Sequence, residues 1–98
     1  MPSFSEMIQS DKPVLVDFHA EWCGPCKMMK PVLEDLKRRI GDSASILKVD
    51  VDKNPAASAA YQVQAVPTLI LFKNGKIQWR HSGILQAHEL EQLIKRYV

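Results

Sequence analysis

The feature that most constrains the fold is a short apolar segment that is followed almost at once by two cysteines. Val14–Phe18 is apolar at every position except Asp17, which is typical of a strand covered on both faces. Cys23-Gly24-Pro25-Cys26 comes next, and a helical pattern continues from Cys23 to about Ile40. Two thiols at such a junction can cycle between dithiol and disulfide, and this chemistry needs no cofactor.

Composition excludes several classes of protein. A chain of 98 residues with 46% hydrophobic content is expected to form one domain, residues 1–98. The net charge is +2 and the only basic cluster is Lys37-Arg38-Arg39, so we expect a solvated helix face and no nucleic-acid site. No segment approaches the roughly 18 apolar residues of a membrane span, and the N-terminus has no signal-peptide pattern. We therefore expect a soluble cytoplasmic protein that does not bind membranes.

The first half of the chain predicts two helices around the apolar strand. Ser3 to about Ser10 reads as a short helix, in which Ser3 and Glu6 fit a capping box. The strand covers Val14 to His19. The second helix, from Cys23 to about Ile40, carries an apolar stripe at intervals of four residues with two further apolar residues beside it. The stripe is Met28, Val32, Leu36 and Ile40, and the flanking residues are Met29 and Leu33.

The second half predicts three more strands and two helices. Ile46–Val51 reads as a strand parallel to the first, across a helical crossover. Asn54 is expected to cap a short helix that starts at Pro55 and ends near Tyr61.

A hairpin and a last helix complete the pattern. Thr68 to Phe72 and Lys76 to about His81 flank Lys73-Asn74-Gly75, a strong signal for an antiparallel hairpin. The last amphipathic helix follows Gly83 and is marked by Leu90, Leu93, Ile94 and Tyr97. This order predicts an α/β fold with a central mixed four-stranded sheet and helices on both faces.

Four segments closely resemble thioredoxin, in the same order and from about residue 3 to residue 98. They are Val16–Lys27, Lys48–Asp52, Val66-Pro67-Thr68 and Phe72–Gly75. The resemblance implies a single thioredoxin domain that reduces disulfides in other proteins. It also implies recharging by a thioredoxin reductase, usually an NADPH-dependent flavoenzyme. We expect a monomer without a cofactor beyond the Cys23–Cys26 disulfide.

Two features depart from the usual pattern of that family. Members usually have a further strand before the first helix, and only 16 residues precede Asp17 here. The strand around Ile46 to Asp50 should therefore be an exposed sheet edge. The second departure is His19, where the family usually has tryptophan. His19 is two residues from Asp17, so both side chains should lie on one face of the strand.

The spacing of the two cysteines suggests separate roles. Residues i and i+3 of a helix have Cα atoms about 5 Å apart, which permits a disulfide. Cys23 is placed at the helix N-terminus, where a thiolate is favoured, and is assigned as the attacking nucleophile. Cys26, one turn further and less exposed, would resolve the mixed disulfide.

Asp17 is the candidate proton acceptor for Cys26. Desolvation in an apolar strand should raise the pKa of its carboxyl, and the resemblance gives Asp17 this role with Lys48 as a nearby charge. Asp17 could alternatively point to solvent at a strand end, and Lys48 could point outward. His19 could add a titrating group or simply pack.

The resemblance also implies a small apolar docking surface around the sulfurs. Its residues are Trp22, Gly24, Pro25, Val66, Pro67, Gly83 and Ile84. The Val66–Pro67 bond is expected to be cis, and the backbone of Val66 would pair with an extended substrate segment. Gly83 could instead be a simple turn glycine.

Three other interpretations remain open at this stage. A zinc site needs about four ligands, and the chain has no second cysteine pair while His19, His81 and His88 are scattered. We therefore expect no metal. The fold could serve as a non-catalytic docking subunit, or as a disulfide oxidase or isomerase, since small differences in thiolate stability set the potential.

Overall fold

A computed structural model describes residues 3–98 and confirms the predicted order of helices and strands. The elements are α1 Phe4–Met7, β1 Val14–His19, α2 Gly24–Ile40, β2 Ser45–Asp50, α3 Pro55–Ala60, β3 Thr68–Lys73, β4 Lys76–Ser82 and α4 Ala87–Lys95. Ser3 and Glu6 form the predicted capping box of α1. None of the helices in the described residues is long and apolar enough to cross a membrane.

The first helix is shorter than the sequence predicts, because the hairpin turn uses the backbone that follows it. Asn74 N donates to Ser10 O at 2.7 Å and Gly75 N donates to Ile8 O at 3.0 Å. Asn74 and Gly75 both have positive φ, 54° and 77°, as a tight hairpin turn requires. The segment after α1 therefore packs along the turn and does not form a further helical turn.

The sheet has the strand order β2-β1-β3-β4. β1 is parallel to β2 and antiparallel to β3, and β3 is antiparallel to β4. This confirms the mixed four-stranded sheet and places β1, which leads into the cysteine loop, at its centre. β2 is the outermost strand on its side among the described residues, as predicted.

Apolar clusters cover both faces of the sheet. One cluster packs α2 and α4 against the sheet and includes Leu15, Met29, Leu36, Leu69, Leu90 and Ile94. The other lies on the opposite face and includes Ile8, Val14, Val16, Phe18, Ile70 and Phe72, with Phe4 and Tyr61 against it. The helices of the two faces hold β1 in place, so the loop after β1 starts from a rigid strand.

The predicted apolar stripe of α2 is wrong at its first residue. Met28 is 62% exposed, whereas Met29 is fully buried. A step of four residues turns a helix by about 40° beyond a full circle, so a stripe with only that spacing drifts around the helix. The buried face combines steps of three and four residues: Cys26, Met29, Leu33, Leu36 and Ile40.

Asn54 is the N-cap residue of α3, as predicted, but it caps the helix through its backbone carbonyl, which accepts from Ser58 N at 3.1 Å. Its side chain makes no capping bond. Its amide Nδ2 instead donates to Asp50 O at 3.0 Å, because the carbonyl at the end of β2 lies within its reach. The side chain thus closes the turn between β2 and α3. The last helix ends at Lys95, and Tyr97 follows it while still packing against the core.

Candidate active site

Cys23 and Cys26 form a disulfide where the loop after β1 meets α2. Cys23 is the residue that caps α2, and Cys26 lies in its first turn. Their Cα atoms are 5.3 Å apart, inside the range of about 4.4–6.8 Å that a disulfide allows. Cys23 N donates to Ala20 O at 3.2 Å, which fixes the loop between strand and helix. The bridge that the spacing permits therefore closes between the capping residue and the first turn of α2.

The helix stabilises negative charge on the sulfur of Cys23. The backbone N–H of Cys26 donates to Cys23 Sγ, with a distance of 3.1 Å between N and Sγ. The first N–H groups of a helix have no partner within it, and the helix dipole is positive at this end. In the reduced protein both effects favour a thiolate at Cys23.

Exposure does not rank the two cysteines as predicted. Cys23 is 4% exposed and Cys26 is 7% exposed, so Cys26 is not the more buried residue. Cys23 and Cys26 belong to one small apolar cluster with Ala20, and Val51 and Val66 pack against it. A difference in burial therefore does not explain why Cys23 should be the more reactive cysteine, whereas the N–H that points at its sulfur does.

Val66 and Pro67 lie beside the disulfide, and the bond between them is cis, as predicted. Cys23 Sγ is 3.6 Å from Val66 O. A disulfide sulfur carries no proton, so this is a contact; the reduced thiol could donate a hydrogen bond there. Gly83 N donates to Pro67 O at 2.9 Å, and its φ of 112° requires glycine. Gly83 is thus a turn glycine that also supports Pro67, and Ile84 after it is 38% exposed.

Trp22 is the most exposed large apolar residue near the disulfide. Its side chain is 71% exposed, and its indole Nε1 donates to Asp52 Oδ2 at 2.9 Å. Trp22 and Val66 line a small cavity of about 130 Å³. Gly24 and Pro25, in the first turn of α2, are exposed. The structure thus places Val66 beside Cys23, joins Pro67 to Gly83 by a hydrogen bond, and lines one small cavity with Trp22 and Val66.

Asp17 is a buried carboxyl inside the sheet and does not point to solvent. It is 3% exposed, and its Oδ1 has no hydrogen-bond partner among the described residues. Burial raises the pKa of Asp17 above the ordinary value of 3.8, while the charges of His19 and Lys48 act in the opposite direction. Such a carboxyl can take up a proton at higher pH than an exposed one.

A cavity of about 370 Å³ connects Asp17 with Cys26. Lys48 lies opposite Asp17 in the register of β1 and β2, and its side chain is exposed at the sheet edge. The cavity is large enough for water between the carboxyl and the sulfur. Its lining residues are Asp17, His19, Ala20, Glu21, Cys26, Lys27, Lys30 and Lys48.

Two residues to which the sequence assigns no role support the site. Asp52 orients Trp22 from a position 30 residues away. Thr68 is 1% exposed, and its hydroxyl donates to Ala65 O at 2.6 Å and shares a 2.9 Å hydrogen bond with Ser82 Oγ. Both occur in segments that resemble thioredoxin, but only their position in the fold shows what they contact. Within residues 3–98, no three His, Cys, Asp or Glu side chains form a group that could hold a metal ion.

The fold and the site together define a class of protein. A disulfide at a helix N-terminus, with a buried carboxyl behind it and an exposed tryptophan beside it, is the arrangement of a thiol–disulfide oxidoreductase. The thioredoxin family model matches residues 2–96. The chain belongs to the thioredoxin family.

Individual relatives agree with this assignment. A thioredoxin of Alicyclobacillus acidocaldarius is 50% identical over 89 residues, covering 91% of this chain and 85% of that protein. A thioredoxin-like protein of Synechocystis sp. is 46% identical and covers 98% of this chain and 92% of its own length. Thioredoxin Y2 of Arabidopsis thaliana, a chloroplastic protein, is 46% identical over 95% of this chain. The chain spans only 56% of the length of that relative.

A solved structure gives the same fold. A mutant thioredoxin from Halobacterium salinarum superposes with a TM-score of 0.85 and is 40% identical. The match covers 99% of this chain and 87% of that one. Mitochondrial thioredoxin 3 of Saccharomyces cerevisiae, in its oxidised form, has a TM-score of 0.84 and 36% identity, over 95% of this chain and 86% of its own.

Proposed function

We propose that this protein is a protein-disulfide reductase that transfers two electrons from the Cys23–Cys26 dithiol to disulfides in other proteins. The observation that carries the proposal is the position of Cys23 at the N-terminus of α2, where the Cys26 N–H points at its sulfur from 3.1 Å. This arrangement makes Cys23 a good nucleophile at neutral pH.

The reaction proceeds through a mixed disulfide. The Cys23 thiolate attacks one sulfur of the target disulfide, the target S–S bond breaks, and its electron pair leaves on the other target sulfur. The Cys26 thiolate then attacks Cys23 Sγ, which releases the second target sulfur as a thiolate. The product is the Cys23–Cys26 disulfide that the structure contains.

Asp17 accepts the proton that Cys26 must lose before it can attack. Its carboxyl is buried, shares a cavity with Cys26 and has an Oδ1 without a partner among the described residues. Its raised pKa makes it a stronger base than an exposed aspartate. Transfer through one or more water molecules in the cavity completes the path, and Lys48 at the cavity rim contributes a positive charge.

The target docks on the apolar surface around Cys23. Trp22, Gly24, Pro25, Ile84 and the backbone of Val66 provide this surface, while Pro67 and Gly83 fix its shape. An extended target segment can pair with the backbone of Val66 as an added strand. This mode of binding places a target sulfur close to Cys23 without demanding one particular side chain, which suits a reductase with several targets.

The protein needs a partner that reduces its disulfide again after each turnover. A thioredoxin reductase recharges the disulfide, so the protein acts as an electron carrier between that enzyme and disulfide-containing proteins. We place it in the cytoplasm as a monomer. Support comes from the use of both cysteines in the redox site, which leaves none for the structural bridges of an oxidising compartment.

The reduction potential of the Cys23–Cys26 pair tests the proposal. Equilibration against glutathione or dithiothreitol buffers should give a value well below about −230 mV. A value of about −180 mV or higher would instead indicate the disulfide oxidase or isomerase, which the known relatives do not favour.

A further inference from the structure

We propose that His19 is a positioning residue for the resolving step: across the shared cavity, positive charge on its imidazole keeps the buried Asp17 carboxyl ionised and therefore available to accept the Cys26 proton. This inference rests on the proposed function. It adds a role for His19, one of the two departures from the family's usual pattern.

The geometry brings His19, Asp17 and Cys26 to one cavity. His19 and Asp17 are two residues apart on β1, so their side chains lie on the same face of the sheet. Both line the cavity of about 370 Å³ that Cys26 also lines. Asp17 Oδ1 is buried there without a hydrogen-bond partner in the described part of the chain. A buried carboxylate in that situation needs a nearby positive charge or a proton.

The electrostatic effect of His19 on Asp17 also supports a positioning role for His19. Among the charged groups that act on Asp17, His19 comes before Lys48 in lowering its pKa against the effect of burial. Lys48 is exposed on the outermost strand, where water screens its charge. His19 is partly buried, so water screens a charge on its ring less than it screens the exposed charge of Lys48.

Several other charged groups lie near Asp17 and His19. On β2 the register neighbours of Asp17 and His19 are Lys48 and Asp50. On the other side of β1, the neighbour of Asp17 is the uncharged Leu69 of β3. The remaining charged groups at the cavity come from the loop after β1 and from α2: Glu21, Lys27 and Lys30.

The proton balance of the step is simple. With His19 protonated, the Asp17 carboxylate takes the proton of the Cys26 thiol, and the Cys26 thiolate displaces the target sulfur from Cys23. The protonated Asp17 then releases its proton to the cavity water, and the departing target thiolate takes one from solvent.

Two variants at one position separate charge from packing. His19→Gln removes the charge, and His19→Lys retains one. Stopped-flow measurement of mixed-disulfide resolution from about pH 5.5 to about pH 9 should show the midpoint of the rate profile about one pH unit higher in His19→Gln. On the acid side of the profile the rate should be about tenfold lower, with the same plateau at high pH. His19→Lys should restore the midpoint, and His88→Gln on the exposed face of α4 should match the wild type.

An NMR titration of the Asp17 carboxyl in the oxidised protein gives a readout that does not depend on turnover. It should show the same upward shift in His19→Gln and its reversal in His19→Lys. Coincident wild-type and His19→Gln curves, an equal effect of both variants, or a rate reduced by one factor at every pH would overturn the role of His19. If the wild type itself fails to reduce a protein disulfide, the proposed function falls, and this inference with it.

Discussion

The indole Nε1 of Trp22 donates a 2.9 Å hydrogen bond to Oδ2 of Asp52, which ties the exposed tryptophan beside the disulfide to the turn that follows β2. The carboxyl of Asp50 in turn accepts from the backbone N of Asp52 at 2.8 Å and of Lys53 at 3.2 Å. The tryptophan, although 71% exposed, is therefore attached to a turn with its own internal hydrogen bonds. This restricts the side chain before a target arrives, and lowers the entropy lost on docking.

Replacing Asp52 with alanine should weaken docking without changing the chemistry at the sulfurs. A net contribution of about 0.5–1.5 kcal/mol for one hydrogen bond, reduced by exposure, corresponds to a rise of about twofold to fivefold in KM for a protein disulfide. The kcat value and the rate with a small disulfide should stay unchanged. Steady-state kinetics with both substrates measures this, and Asp11→Ala, an exposed acid before β1, is the control. An equal loss with both substrates would contradict the docking role.

Asp17→Asn should make stability less dependent on pH. Burial raises the pKa of Asp17 above 3.8, so between that value and the raised pKa the folded protein holds a proton that the unfolded chain has lost. The free energy of unfolding therefore falls as pH rises through this window. The fall is about 1.4 kcal/mol for each pH unit where Asp17 is fully protonated in the folded protein and fully ionised in the unfolded chain. Asparagine has no proton to lose, and the variant should become increasingly more stable than the wild type as pH rises through the window.

Denaturant unfolding of the oxidised protein from about pH 4 to about pH 8 measures this difference. Asp42→Asn, at an exposed carboxyl in the turn after α2, is the matched control and should follow the wild type. If Asp17→Asn and the wild type differ in stability by the same amount at every pH, the buried charge is not the origin of the difference. The same variant should resolve mixed disulfides more slowly, because the amide cannot accept the Cys26 proton.

The sequence was sufficient for the fold because its signals are local. The apolar run of β1 and the Asn74-Gly75 turn each depend on neighbouring residues, and the cysteine pair needs only a spacing of three. The Trp22–Asp52 hydrogen bond and the cavity between Asp17 and Cys26 could not be predicted in this way. They join residues that are distant in sequence, and only the register of β1 with β2 and the packing of α2 bring them together.

Met28 and Met29 allow a direct test of which face of α2 is buried. Met28 and Met29 are adjacent and have the same side chain, yet one is 62% exposed and the other fully buried. Met29→Ala should lower the free energy of unfolding by about 2–5 kcal/mol, since it leaves a cavity between α2 and the sheet. Met28→Ala should change it by no more than about 0.5 kcal/mol. Chemical denaturation of both variants tests this, and comparable losses would mean that the buried face of α2 has been assigned wrongly.

The strongest contrast between two variants concerns the cysteines themselves. Cys26→Ser leaves the Cys23 thiol at the helix N-terminus but removes the group that resolves the mixed disulfide. Incubation with a disulfide-containing protein should therefore yield a stable covalent adduct, seen on a non-reducing gel and lost on addition of dithiothreitol. Cys23→Ser should yield neither turnover nor adduct under the same conditions, because the remaining thiol lacks the N–H that stabilises a thiolate.

Replacement of both cysteines also distinguishes a reductase from a docking subunit. A subunit that only binds partners would keep its biological activity when both cysteines are replaced with serine, whereas a reductase would lose it. Full turnover by Cys26→Ser would show that Cys26 does not resolve the intermediate. Adducts formed equally well by both single variants would show that the helix N-terminus does not select the nucleophile. Cys23 and Cys26 differ little in exposure, 4% and 7%, so the selection is expected from the hydrogen bond that Cys26 N donates to Cys23 Sγ.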